Sequence, residues 1–236
     1  MREAIKIMEN KLILWDIDGT LMFCGSDGTQ ALNTTINKLY GIEDAFERAG
    51  IGQAMDATIL SRIISHFGIV DADLTQILSD YAGHLAEVLR KNPDKRVLPG
   101  ILNLLESIEA HPSLYNGILT SNFKLGAHTK LESVGLLDYF KIGGYGDSPG
   151  EKWDAALIGL GEAEQHYGLI FKPEQVFIIG DSQYDIACAR RLGMKSIAVA
   201  TGWTDYDTLA AANPDYLFHD LSDYKRILDL FEETRP

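Results

Sequence analysis

Asp16 and Asp18 stand two residues apart where the apolar run LILW ends, and Gly19 and Thr20 follow them. In extended backbone, residues i and i+2 project to one side, so both carboxylates would face the same space. Charge at the mouth of a buried strand is costly unless something compensates it. The bland alternative is an Asp-Gly turn in which Asp16 caps a helix. A second acidic pair, Asp181 and Asp185, follows the apolar run VFIIG. Asp185 alone suits an N-cap for the helix whose apolar residues begin at Ile186. Capping does not explain why a second apolar strand also ends in an acid. Carboxylates converging at strand ends make a hard oxygen site of the kind Mg²⁺ takes, together with substrate phosphate. Thr120, Ser121 and Asn122 end a third run, GILTSN, and offer either donors for phosphate oxygens or an ordinary helix cap. Lys152 follows the loop GDSPGE at the start of a helix, where the dipole slightly disfavours a cation. It is either a solvated surface charge or a cation held there for a reason.

Six apolar runs must position these groups: 12–17, 117–121, 141–145, 176–181, 196–201 and 215–218. Most are continuous rather than alternating, as in strands buried on both faces. Helical spacings fall between them. Ile101, Leu104, Leu105 and Ile108 mark one helix, with Pro99 in its first turn. Trp153, Ala156, Leu157 and Leu160 mark another; Ile186, Ala189 and Leu192 mark a third, closed by Gly193. The alternation predicts an α/β chain: a Rossmann-like, doubly wound parallel sheet with helices on both faces. Between the first strand and Pro99, about 75 residues carry no strand signal, far more than a normal connection. Three helical stripes occupy them, over Ala31–Tyr40, Ile59–Phe67 and Leu74–Leu89, with Asn92–Lys95 as a return linker. We expect an α/β core of residues 1–22 and 96–236 with a helical cap domain, residues 23–95, inserted near the C-terminal strand ends, where open α/β sheets bind ligands. A lid is its natural role, and a static packing layer is the alternative.

The 236 residues carry a formal net charge of −13. Such a chain repels nucleic acid and anionic lipid, so neither is expected as a partner. It would also repel an anionic substrate, so a phosphate-directed site needs local cations. Cys24 and Cys188 form no metal-binding spacing and read as buried thiols of a reducing compartment. The N-terminus lacks a long apolar leader, and no run approaches a membrane span. The expectation is a soluble, cytoplasmic protein.

Taken in order, WDIDGTL, ILTSN, the Lys152 segment and IGDSQYDIACARRLGMKSIAVATG make the chain similar over nearly its whole length to the haloacid dehalogenase superfamily of Asp-dependent phosphotransferases. The resemblance is greatest to the branch with a helical cap after the first motif, which includes phosphoglycolate phosphatase and β-phosphoglucomutase. GDSPGEKW departs from the Lys-Pro-x-Pro pattern of many relatives. The resemblance implies that Asp16 is a nucleophile forming an aspartyl-phosphate and that Asp18 is the general acid–base. It implies Mg²⁺ held by the Asp16 carboxylate, the Asp18 backbone carbonyl and Asp181, with Asp185 ligating directly or through water. Thr120 and Lys152 would hold the phosphoryl oxygens, with Ser121 and Asn122 beside them. Burial and like charge should push one of the two acids at 16 and 18 up in pKa. Relatives that cleave carbon–halogen bonds lack an acid at the second position, so Asp18 favours phosphate esters. The implied activity is hydrolysis of a small phosphorylated metabolite, by a monomer or homodimer. A phosphomutase, or a binding protein that lost turnover, is the alternative. The insertion and Asp18 speak against a receiver-type signalling domain. The loop Ala49–Gln53, with Arg48 as its one nearby cation, either enters the site or is a simple interhelical turn, which accounts for its glycines equally well.

Overall fold

The computed structural model describes residues 9–232. Residues 1–8, most of the stretch read above as lacking a leader, and residues 233–236 lie outside the described residues. Six strands form one parallel sheet: β1 (Lys11–Trp15), β4 (Leu114–Leu119), β5 (Gly143–Gly144), β6 (Val176–Gly180), β7 (Lys195–Val199) and β8 (Tyr216–Phe218). Their spatial order is β5-β4-β1-β6-β7-β8. The chain builds outward from β1 through β4 to β5, then restarts on the other side of β1 with β6. Strand order therefore reverses beside β1, and such a switch point opens a crevice at the carboxyl ends.

Register decides which residues meet there. Trp15 pairs with Ile118 of β4 and with Ile179 of β6. The segments after these three strands, starting with Asp16, Thr120 and Asp181, are thereby level with one another. All five residues of β1 are buried. Ile13 and Trp15 join one apolar cluster, with α5 (Ile101–Glu109) and α10 (Tyr224–Glu232). Leu12 and Leu14 join another, with α7 (Lys152–Tyr167) and α8 (Gln183–Leu192). A strand covered on both faces has no polar side, which is why the six runs read as continuous.

Two local expectations change. The helix after Pro99 opens at Ile101 with Gly100 as N-cap, so the proline lies before the cap rather than in the first turn. The buried face of α7 is Lys152, Ala155, Ala156, Gly159 and Ala163, while Leu157 is half exposed. Small residues win because α7 rides directly on β5: a Cβ at Gly144 would lie 1.8 Å from the Ala155 carbonyl oxygen. That close approach carries Lys152 to the strand ends.

Residues 27–91 hold no strand and form α1 (Asp27–Tyr40), α2 (Ala45–Arg48), α3 (Asp56–Phe67) and α4 (Leu74–Lys91). Where the chain leaves and returns, β2 (Met22–Phe23) pairs antiparallel with β3 (Arg96–Val97). Two-residue strands carry no periodic signal, and the sequence does not reveal this pair. Asn92 ties the two crossings together, donating to Cys24 O at 3.1 Å and to Asp27 Oδ2 at 2.8 Å. Among the described residues, no helix is long and apolar enough to cross a membrane. Cys24 and Cys188 are free, buried thiols.

Candidate active site

Asp16, Asp18, Thr120, Ser121, Asn122, Lys152 and Asp181 all line one cavity of about 530 Å³, between the strand ends and the helical insertion. Asp185 sits just behind it. One oxygen from each of Asp16, Asp181 and Asp185 lies within 4.8 Å of the others, and all three residues are buried. Glycine makes room for this crowding: a Cβ at Gly202 would lie 1.7 Å from Asp181 Oδ2, and one at Gly180 would lie 2.0 Å from Asp185 Cγ.

Asp185 is not an N-cap. Ser182 takes that place, and Asp185 lies three residues into α8, where its Oδ2 accepts from the Ser182 N–H and hydroxyl. Its Oδ1 has no directed hydrogen bond and meets only the Lys152 ammonium, at 2.6 Å. Lys152 Nζ also lies 3.1 Å from Asp16 Oδ1. One cation thus faces three carboxylates, which leaves a buried excess of negative charge. An all-oxygen set with that excess fits a hard divalent cation. The Asp18 side chain is not part of the cluster.

Asp18 points elsewhere. Its Oδ2 accepts from Lys130 Nζ at 2.6 Å and from Asn122 Nδ2 at 2.8 Å, and Cys24 Sγ approaches Oδ1 at 3.3 Å. Asn122 Oδ1 accepts from the same Lys130 ammonium, and Thr120 Oγ1 accepts from Asn122. The Asn122 amide is therefore engaged with Asp18 and Thr120. The Thr120 hydroxyl keeps its own proton to donate, and no helix cap is made by this segment, because α6 (Lys124–Glu132) has Phe123 at its N-cap.

These surroundings separate the acids. Burial pushes Asp16 up to about 6, against Lys152 and reinforced by Asp185 and Asp18. Burial pushes Asp181 up to about 8, with Asp16 and Asp185 adding to it. Burial works the same way on Asp18, but Lys130, with Asn122 and Cys24, outweighs it and holds this carboxyl below its usual range. Like charge thus raises the first acid of the pair and not the second. Acids whose folded pKa is raised stabilise the protein fully below their unfolded value, and that contribution is lost as pH rises through the folded one. The metal-free protein should therefore lose stability from about pH 4 upward, to about pH 6 through Asp16 and to about pH 8 through Asp181, by at most about 1.4 kcal/mol per pH unit for each acid within its own window. Urea unfolding in EDTA across that window measures it, and a stability that rises with pH there would contradict the crowded-acid reading.

A family model described as haloacid dehalogenase-like hydrolase matches residues 13–199. The chain belongs to this family. As a haloacid dehalogenase-like hydrolase it is similar to two curated proteins named phosphoglycolate phosphatase. One, from Synechococcus elongatus, is 29% identical over 89% of this chain and 93% of its own. The other, from Aquifex aeolicus, is 28% identical over 93% of this chain and 97% of its own. The crystal structure of CbbY from Rhodobacter sphaeroides in complex with phosphate superimposes with a TM-score of 0.70 at 17% identity, covering 91% of this chain and 96% of that one. That likeness establishes the fold.

Two residues of this hydrolase's site escape sequence reading. Lys130 lies in the last turn of α6, where a lysine reads as a solvated charge that suits the helix dipole, yet it is only 4% exposed. Only the placement of α6 over the strand ends reveals it. Asp56, the first residue of α3, joins the insertion to the core. Its Oδ2 accepts from the Phe123 N–H at 2.9 Å, and its own N–H donates to Ser121 O at 2.8 Å. Burial raises its carboxyl to about 6, against Lys130 and the Phe123 N–H.

Proposed function

We propose that this chain is a Mg²⁺-dependent phosphatase that hydrolyses a small phosphate monoester through an aspartyl-phosphate on Asp16. The observation that carries the reading is the Asp16 carboxylate itself. It opens onto a cavity at the switch point, with Lys152 on one side and the acids Asp181 and Asp185 behind it. Family membership and relatives named phosphoglycolate phosphatase support the same chemistry.

In the first step an Asp16 oxygen attacks phosphorus, the bond to the ester oxygen breaks, and the departing alkoxide takes a proton from Asp18. In the second step Asp18 accepts a proton from water, the water oxygen attacks phosphorus, and Asp16 leaves as a free carboxylate with inorganic phosphate. Lys130 and Asn122 hold Asp18 in its base form, which suits the second step; for the first, Asp18 passes to the alkoxide the proton that a monoanionic ester brings with it. Lys152 and the Thr120 hydroxyl orient the phosphoryl oxygens and offset their charge. Asp16, Asp181 and Asp185, with the Asp18 carbonyl, would hold Mg²⁺, which when bound neutralises the acids and the phosphoryl oxygens. Residues 23–95 act as the cap that covers this site and selects the ester.

Phosphate release from small esters should require Mg²⁺ and fall at least about 100-fold in EDTA. Release that is unchanged by chelation would refute the metal dependence. Release without any sugar bisphosphate distinguishes hydrolysis from return of the phosphoryl group to a sugar.

A further inference from the structure

The wall that the helical insertion presents to the cavity carries a substrate signature. Leu32, Phe46, Ile51, Ile59 and Tyr81 give it apolar surface, and Ser26, Thr29 and Gln53 add polar but uncharged side chains. Its charged group is a carboxylate, Asp56. Among the described residues, no lysine or arginine of the insertion lines the cavity.

Arg48 could have supplied a cation, since it is the last residue of α2, five residues before Gln53. It is turned away. Its Nη1 donates to the Glu43 carbonyl at 3.0 Å, and its guanidinium stacks over the Phe67 ring at 4.9 Å. The cavity's two cations both come from the core, and both are engaged. Lys152 lies between Asp16 and Asp185. Lys130 lies between Asp18 and Asn122 Oδ1, at 2.6 and 2.7 Å. Drawing Lys130 off would leave a buried carboxylate without its partner, which is unfavourable.

We infer that the alcohol released from the phosphate ester is uncharged and lays an apolar face against the insertion. This rests on the phosphatase reading above and narrows it. A leaving group carrying a carboxylate or a second phosphate would bring its charge against Asp56 and uncharged side chains, with no free cation among the described residues to meet it. A buried, unpaired charge of that kind discriminates strongly between otherwise similar ligands. The cavity volume also exceeds what phosphate and a two-carbon alcohol fill. The inference sets this chain apart from its relatives named for phosphoglycolate, whose ester carries a carboxylate.

Three alkyl esters of similar intrinsic reactivity test it on the full-length, Mg²⁺-loaded protein: n-butyl phosphate, 2-hydroxyethyl phosphate and 2-phosphoglycolate. The last two differ chiefly in a hydroxymethyl group against a carboxylate. The kcat/KM for 2-hydroxyethyl phosphate should exceed that for 2-phosphoglycolate by at least about tenfold, with n-butyl phosphate at or above it. Gln53 is exposed on the cavity rim. Replacing it, Gln53→Arg, supplies the missing cation and should shift the phosphoglycolate-to-hydroxyethyl ratio toward phosphoglycolate by about tenfold. Equal or faster turnover of 2-phosphoglycolate by the unaltered protein overturns the inference and leaves the phosphatase reading standing. So does a Gln53→Arg protein that folds and turns over n-butyl phosphate without moving the ratio. No release from any of the three overturns both.

Discussion

Replacing Asp16 by Asn is expected to reduce phosphate release on the order of 10⁴-fold or more, because the amide cannot attack phosphorus and no neighbour can take its place. Asp18 is the nearest candidate, but Lys130 and Asn122 hold its carboxylate away from the acidic cluster. The same change should not harm the fold. It removes one of three crowded carboxylates, so the metal-free protein should be as stable as the parent or more so. The gain should be larger at pH 8 than at pH 5, since the raised acids are ionised only at the higher pH. Single-turnover phosphate release together with urea unfolding at both pH values checks the pair of effects. Asp16→Asn retaining even a tenth of the parent rate would remove Asp16 from the nucleophile role.

Replacing Lys152 by Met should act in the opposite direction on stability while also reducing activity. Lys152 is buried at the start of α7 and meets Asp16 at 3.1 Å and Asp185 at 2.6 Å. Both carboxylates would be left buried without a cation. Breaking such a pair by removing one partner costs about 3–5 kcal/mol. The loss should be largest above about pH 8 and shrink toward pH 5, because protonated acids no longer need the ammonium. Added Mg²⁺ should recover part of the stability through the same carboxylates, and phosphate release should remain at least about 100-fold down. The urea midpoint, at unchanged m-value, reports the stability term. A loss under about 1 kcal/mol at pH 8 would mean that Lys152 does not compensate the cluster.

The parts of the fold and site that were legible are those written in short, local patterns. A strand buried on both faces must be apolar throughout, so β1, β4, β6 and β7 announced themselves. An acid directly after such a run is visible for the same reason, and this marked Asp16 and Asp181. Long helices in the insertion showed through their stripes because each buries one face against its neighbours. The same logic misled at α7. There the apolar residues are partly exposed and the buried face is alanine and glycine, because backbone proximity to β5 excludes larger side chains. It also failed at Asp185, where an acid three residues into a helix and an acid at its cap look alike from spacing alone.

What the chain determined by itself was therefore the type of fold, the six strands and the acids at their ends, since each follows from burial of neighbouring residues. What only the tertiary structure decided was partnership across long sequence distances. Lys130 meets Asp18 across 112 positions, and Asp56 meets Phe123 across 67. Arg48 faces Phe67 rather than the cavity. The direction of a charged side chain is set by which carboxylate, ring or backbone group the packing brings within reach, and no local pattern encodes that. Those partnerships separate the surroundings of Asp16 and Asp18 and, among the described residues, leave the insertion's wall of the cavity without a cation.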